Sequence, residues 1–175
     1  MINYLIYLIL GFFLNSISSF YIKKKAESLL LNPYTPLPDL IHNYFPKINT
    51  LIPDYFLFFC IVVSIFNYSK LKNFEKNIMC IGICLIIRSF SVFLTIMPTC
   101  MSKPKENKSI YESFFLSTHD LMFSGHSLFF IGIGNMLNIF LINYIGPFLL
   151  IISRQHYTID VIVSGLVYYY IYSKI

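Results

Sequence analysis

Apolar residues in this chain come in long blocks, separated by shorter stretches that carry its lysines and prolines. Residues 1–21 form the first block, and Lys23, Lys24 and Lys25 mark its exit. At about 20 residues per crossing it is long enough to span a bilayer. It lacks a basic leading segment and a small-x-small cleavage pattern, so it is expected to be a retained helix. The connector over residues 26–53 holds Pro33, Pro36, Pro38, Pro46 and Pro53, which exclude a long helix there. Residues 54–68, extended by Leu51 and Ile52, are a second block, short for a span, and residues 77–97 are a third, with Arg88 near the middle. After a second connector, residues 121–142 form a fourth block. Gly146-Pro147 is expected to break the chain before a short block over residues 148–152, and residues 157–172 close the pattern. The reading is an all-α membrane protein of about six transmembrane helices, a single multi-pass domain over residues 1–175.

Composition strengthens that reading. Charged residues make up 12% of the chain and hydrophobic ones 57%, whereas soluble domains carry about 25% charged residues. The net charge of +5 comes from lysine clusters between the apolar blocks, such as Lys70/Lys72/Lys76 and Lys103/Lys105/Lys108. A nucleic-acid binder would gather its cations on one soluble face. Flanks of membrane helices near anionic lipid fit better, so no nucleic-acid partner is expected. Cys60, Cys80 and Cys84 lie inside apolar runs and read as core-filling thiols; with Cys100 they form neither a disulfide framework nor a metal site.

Two polar stretches stand out. One is Asp120 to Ser127, which contains Ser124, Gly125 and His126; the other is Ser153 to Asp160, which contains Arg154 and His156. The two histidines are 30 positions apart across an apolar hairpin. Each leg then measures about 20 Å at 1.5 Å per residue, and the hairpin returns the chain to the face it left. Both histidines are therefore expected at the same face.

Their chemistry suits phosphoryl transfer. His156 and Asp160 at a spacing of four would share a helix face, and a carboxylate beside an imidazole fixes its tautomer and supports its charged form. Ser124 and Gly125 stand at a helix start, where free amides favour a phosphate. One histidine would attack phosphorus, the other would protonate the leaving alkoxide, and Arg88 or Arg154 would hold the phosphoryl oxygens. The catalytic set is thus His126, His156 and Asp160. The substrate-binding set is Arg88, Asp120, Ser124, Gly125, Arg154 and, from a stiff Pro36–His42 segment read as a linker or a cap over the site, Asp39. Asp120 taken alone reads first as a helix cap. No metal and no cofactor is called for. Tyr168-Tyr169-Tyr170 reads as an interfacial belt and not as an aromatic cage.

With these residues in view, the chain resembles the lipid phosphatase/phosphotransferase superfamily, and within it the sphingomyelin synthase-like branch that includes inositol phosphorylceramide synthases. Four landmarks occur in the family's order: Pro36-Leu37-Pro38-Asp39, Arg88 through Pro98, Asp120 through His126, and His156 through Asp160. The likeness extends over residues 36–172, the expected catalytic core. The resemblance implies the superfamily's helical bundle and a ping-pong reaction. His156 takes a phospho-head group from a glycerophospholipid, diacylglycerol leaves, and ceramide accepts the group. It also implies a multi-pass protein of the Golgi, endoplasmic reticulum or plasma membrane with the site on the luminal or outer face. Ser153-Arg154-Gln155 ahead of His156 looks more like the inositol-transferring branch than the choline-transferring one. Two enzymatic alternatives remain: a lipid phosphate phosphatase, and transfer between phosphatidylcholine and diacylglycerol. A degenerate membrane scaffold is the non-enzymatic one.

Overall fold

Helix α1 spans Asn3–Ser28, α2 Leu40–Tyr44, α3 Leu51–Phe66, α4 Phe74–Leu94, α5 Gly125–Leu137, α6 Ile142–Ile152 and α7 Thr158–Lys174. A single 3-10 turn, Tyr68–Lys70, joins α3 to α4. The computed structural model describes residues 3–28, 36–95, 97, 100 and 122–175. Among these the protein is all-helical, with no strand. Asp120, His119 and the lysines at 103, 105 and 108 lie outside the described residues.

The directions of the helices follow from their contacts. Tyr4 meets Phe74 and Tyr21 stacks on Phe93, so α1 and α4 run parallel and in register. Asp54 faces His126 and Phe56 stacks on Phe130, so α3 and α5 run parallel. The Ser124 amide bonds to the Asp160 carbonyl and Gly132 packs near the Tyr168 hydroxyl, which makes α5 and α7 parallel. Gly146 sits on the Phe130 ring and Gly134 on Asn143, so α6 returns against α5. Helices α3, α5 and α7 therefore all begin at one face of the bundle, and α1, α4 and α6 all end there. The same-face expectation for the hairpin holds, with legs of 13 and 11 residues.

Helix α5 is the centre of the packing. Leu128 and Ile131 join Cys80, Ile81, Cys84, Leu85 and Tyr168 in one cluster. Phe130, Ile133 and Met136 join Cys60, Ile142 and Leu150 in a second. The outer surface is apolar: Leu5, Ile9 and Phe13 on α1, Phe58 and Phe59 on α3, and Ile159, Ile162 and Leu166 on α7 are exposed. Among the described residues two helices, α1 and α4, are long and apolar enough to cross a membrane by themselves.

Three local expectations need correction. Pro147 does not break the chain: α6 runs through it. It lies just past the first turn, where it forfeits only the bond to the Asn143 carbonyl, and Gly146 lets the helix sit on Phe130. Helix α1 continues through its lysines to Ser28, since lysine is a good helix former and no proline occurs before Pro33. Tyr168 is not a belt residue; it is fully buried and its hydroxyl donates to Asn77 Oδ1, whereas Tyr169 and Tyr170 are exposed.

Close approach of α1 to α4 depends on glycine. A Cβ on Gly82 would lie 2.5 Å from the Tyr7 carbonyl carbon and 2.6 Å from the Leu8 nitrogen, both main-chain atoms that cannot swing aside. Gly82→Val is expected to lower stability in detergent by about 3 kcal/mol. Gly165→Ala is the control, because its new carbon meets only Ile131 Cδ1 at 3.8 Å. Equal melting temperatures for the two variants would contradict this packing.

Candidate active site

The site forms where three helices begin. Ser124 caps α5: its Oγ accepts from the Ser127 amide at 3.1 Å. The Ser124 amide in turn donates to the Asp160 carbonyl at 3.3 Å. Ser164 Oγ lies 2.6 Å from the Asp160 carbonyl and 3.1 Å from the Ser124 carbonyl. These bonds clamp the start of α5 to the first turn of α7. His126, the second residue of α5, and His156, just ahead of α7, are thereby brought together with ring centroids 6.5 Å apart. The start of α3 completes the set. Each of these helix N-termini carries a partial positive charge, which favours an anion between them.

His156 is not on a helix. Tyr157 is the extended N-cap residue and α7 starts at Thr158, so the helical spacing expected for His156 and Asp160 does not apply. The turn nevertheless faces them: Nδ1 of His156 stands 3.6 Å from Oδ2 of Asp160. That is beyond hydrogen-bond length, and among the described residues this buried nitrogen has no hydrogen-bond partner. The same Oδ2 accepts from the Tyr157 amide at 3.0 Å. With Nδ1 turned to Asp160, Nε2 is the nitrogen left for chemistry. His156 is 6% exposed, while the side chain of His126 is 40% exposed.

A residue that the sequence reading missed faces His126. Oδ1 of Asp54, in the first turn of α3, is 3.8 Å from His126 Nε2. Gln155 joins the two stretches, donating to the Thr50 carbonyl at 2.6 Å and to Asp54 Oδ1 at 3.2 Å. The signal was available: Asp54 is a lone acid at the mouth of an apolar block, a costly place for a charge, as the middle of its block is for Arg88.

The expected substrate-binding residues are distributed unevenly. Ser124 and Gly125 border the histidine pair. Arg88 is buried behind them, against Gly125, and its Nε donates to the Phe123 carbonyl at 2.6 Å and its Nη1 to Asn15. It thus ties α1, α4 and the approach to α5 together. Arg154 has a left-handed backbone (φ 60°) and donates from Nη2 to the His42 carbonyl at 3.0 Å. Asp120 lies outside the described residues.

Asp39 holds two helices. Its Oδ1 accepts from the Ile41 amide at 3.0 Å and the Thr158 hydroxyl at 2.8 Å; its Oδ2 accepts from the Thr158 amide at 2.7 Å. It is the N-cap of α2 and serves the first residue of α7 as well. The Pro36–His42 segment is therefore a strap across the turn that carries His156. Leu37 adds a bond from its amide to the Tyr157 hydroxyl at 2.9 Å. Between the strap and α7 runs an apolar groove of about 320 Å³ lined by Leu37, Pro38, Tyr157, Ile159 and Ile162, and neither site histidine lines it. Among the described residues no three His, Cys, Asp or Glu side chains converge as metal ligands would.

Burial works against the Asp39 carboxylate, but bonds from the Thr158 amide and hydroxyl, the nearby His42 and its amide outweigh it and hold its carboxyl below the usual value of 3.8. Burial pushes the Tyr157 phenol up to about 12, so it stays protonated.

No family model and no curated protein matches the chain. The four motifs and this geometry therefore carry the functional argument.

The depressed carboxyl of Asp39 sets a sign. Its stabilising contribution is complete above the unfolded value of 3.8 and is lost as pH falls through its lower folded value. Hydrogen exchange over residues 36–44 is expected to stay slow down to about pH 5 and to quicken only in stronger acid. Asp39→Ala should remove that acid step and cost about 1–2 kcal/mol. Loss of protection already near neutral pH in the wild-type chain would contradict the double cap.

Proposed function

We propose that this chain is a membrane-embedded lipid phosphotransferase of the sphingolipid-synthase type. It moves a phospho-head group from a glycerophospholipid to the primary hydroxyl of ceramide and releases diacylglycerol. The observation that carries the reading is the pairing of the His126 and His156 rings at 6.5 Å, with Asp160 behind His156 and three helix N-termini around them.

In the first step Nε2 of His156 attacks phosphorus. The N–P bond forms as the P–O bond to diacylglycerol breaks, and protonated His126 gives its proton to the departing alkoxide. The phosphorylated imidazole keeps its proton on Nδ1, directly facing Asp160, whose carboxylate supports the charged ring. In the second step His126 takes the proton of the ceramide hydroxyl. The hydroxyl oxygen bonds to phosphorus and the N–P bond breaks, which restores both histidines. Asp54 stands where it can support the protonated state of His126.

A membrane location is supported by two span-length apolar helices and by the exposed apolar residues on α1, α3 and α7. The alternation of α1, α3, α4, α5, α6 and α7 supports a multi-pass bundle of the superfamily's kind. Lys70, Lys72, Lys76 and Lys174 gather at the face opposite the site. Lys23, Lys24, Lys25 and Lys47 stand at the site face in equal number, so the reading of a site on the luminal or outer side, in the Golgi, endoplasmic reticulum or plasma membrane, rests on the resemblance and not on charge.

Membranes containing the protein, given labelled ceramide and a panel of glycerophospholipid donors, should yield a phosphosphingolipid and diacylglycerol in equal amounts. His156→Ala should abolish the product, and His126→Ala should lower its rate by about 10²-fold or more. Free phosphate release without an acceptor lipid would favour a phosphatase instead. Unchanged product formation in His156→Ala would overturn the assignment.

A further inference from the structure

We propose that His42 is a positioning residue for the nucleophile: it fixes the peptide plane between His156 and Tyr157, and through that plane the angle at which His156 meets Asp160. The proposal rests on the phosphotransfer reading above. His42 is 7% exposed, and its ring lies 5.9 Å from that of Tyr157 at an interplanar angle of 31°. Its Nε2 is 3.2 Å from the carbonyl oxygen of His156. A carbonyl only accepts, so Nε2 carries the proton and donates. The N–H of the same peptide unit, on Tyr157, donates to Asp160 Oδ2 at 3.0 Å. One peptide plane is thus held at its oxygen by His42 and at its nitrogen by the very carboxylate oxygen that faces His156 Nδ1.

The strap that carries His42 is fixed independently of it. Asp39 anchors one side on Thr158, and Arg154 binds the His42 carbonyl. The ring is therefore aimed and not merely buried. If the donor is lost, the peptide can rotate, the Asp160 contact loosens, and the His156 imidazole loses its angle of attack. Binding of lipid at the apolar surfaces is untouched. The expected signature is a fall in kcat with KM unchanged.

The test uses the full chain purified in detergent micelles, with His42→Phe and His42→Gln measured beside wild type and His156→Ala. Phenylalanine keeps the ring and its packing on Tyr157 but has no donor; glutamine restores a side-chain N–H. The expected results for His42→Phe are a fall in kcat of about 10²-fold and a KM within about twofold of wild type. His42→Gln should recover most of the rate. In protein labelled with ¹⁵N at histidine, the His156 Nδ1 resonance should move in His42→Phe and return in His42→Gln, a readout that needs no turnover.

A wild-type kcat in His42→Phe overturns the proposal, as does a glutamine variant no faster than the phenylalanine one. So does an unmoved His156 resonance. Loss of folding in His42→Phe also overturns it, by assigning His42 to stability alone. Full activity in His156→Ala, by contrast, would sink the phosphotransfer reading itself, whatever His42 does.

Discussion

The arrangement of the site depends on one main-chain clamp. The Ser124 amide reaches the Asp160 carbonyl, and Ser164 Oγ lies within hydrogen-bond reach of the carbonyls of both residues. All of these atoms are buried in an apolar bundle, where an unpaired carbonyl or amide costs several kcal/mol. The start of α5 therefore cannot slide along α7 without orphaning polar groups. That fixed register is what brings His126 to His156.

Around this clamp the turn that carries His156 is bonded almost residue by residue. Arg154 binds the strap, Gln155 the start of α3, His156 receives His42, Tyr157 receives Leu37, and Thr158 gives both its donors to Asp39. Each such bond contributes only about 1 kcal/mol net. Together they remove the freedom of a loop that has no regular structure of its own. A turn held this way can keep a buried imidazole at a set angle, which is the requirement for in-line attack on phosphorus. By contrast, His126 sits on a regular helix and is far more exposed, as suits the proton exchange proposed for it.

Much of this was legible in the sequence, and the boundary has a physical basis. Block lengths located α3, α4 and α7 to within about three residues, because apolar composition is a local property, but α1 ends seven residues later and α6 starts six residues earlier than the blocks suggest. The hairpin length placed both histidines at one face, because 13 and 11 residues of helix can only go and return. The His156–Asp160 contact was expected, though it arises from a cap turn and not from helical spacing. What stayed hidden were contacts between segments far apart in the chain. Nothing local to Asp54 shows that α3 runs beside α5. Nothing local to Asp39 shows that a second helix also uses its carboxylate. Gly11 and Gly82 look like ordinary helix glycines until α1 and α4 are laid parallel. Arg88 was rightly singled out as a costly charge in an apolar helix, yet the structure gives it Asn15 and Phe123 as partners.

The central claim is that His156 becomes covalently bonded to the phospho-head group of a lipid donor. Rapid quenching of the purified protein after addition of a head-group-labelled glycerophospholipid, followed by peptide mapping under basic conditions, tests it most directly. The account predicts an acid-labile adduct on the peptide containing His156, carrying the whole phospho-head group and appearing with one equivalent of diacylglycerol. An adduct on His126, or formation of the transferred product with no adduct on His156 at any time, would contradict it.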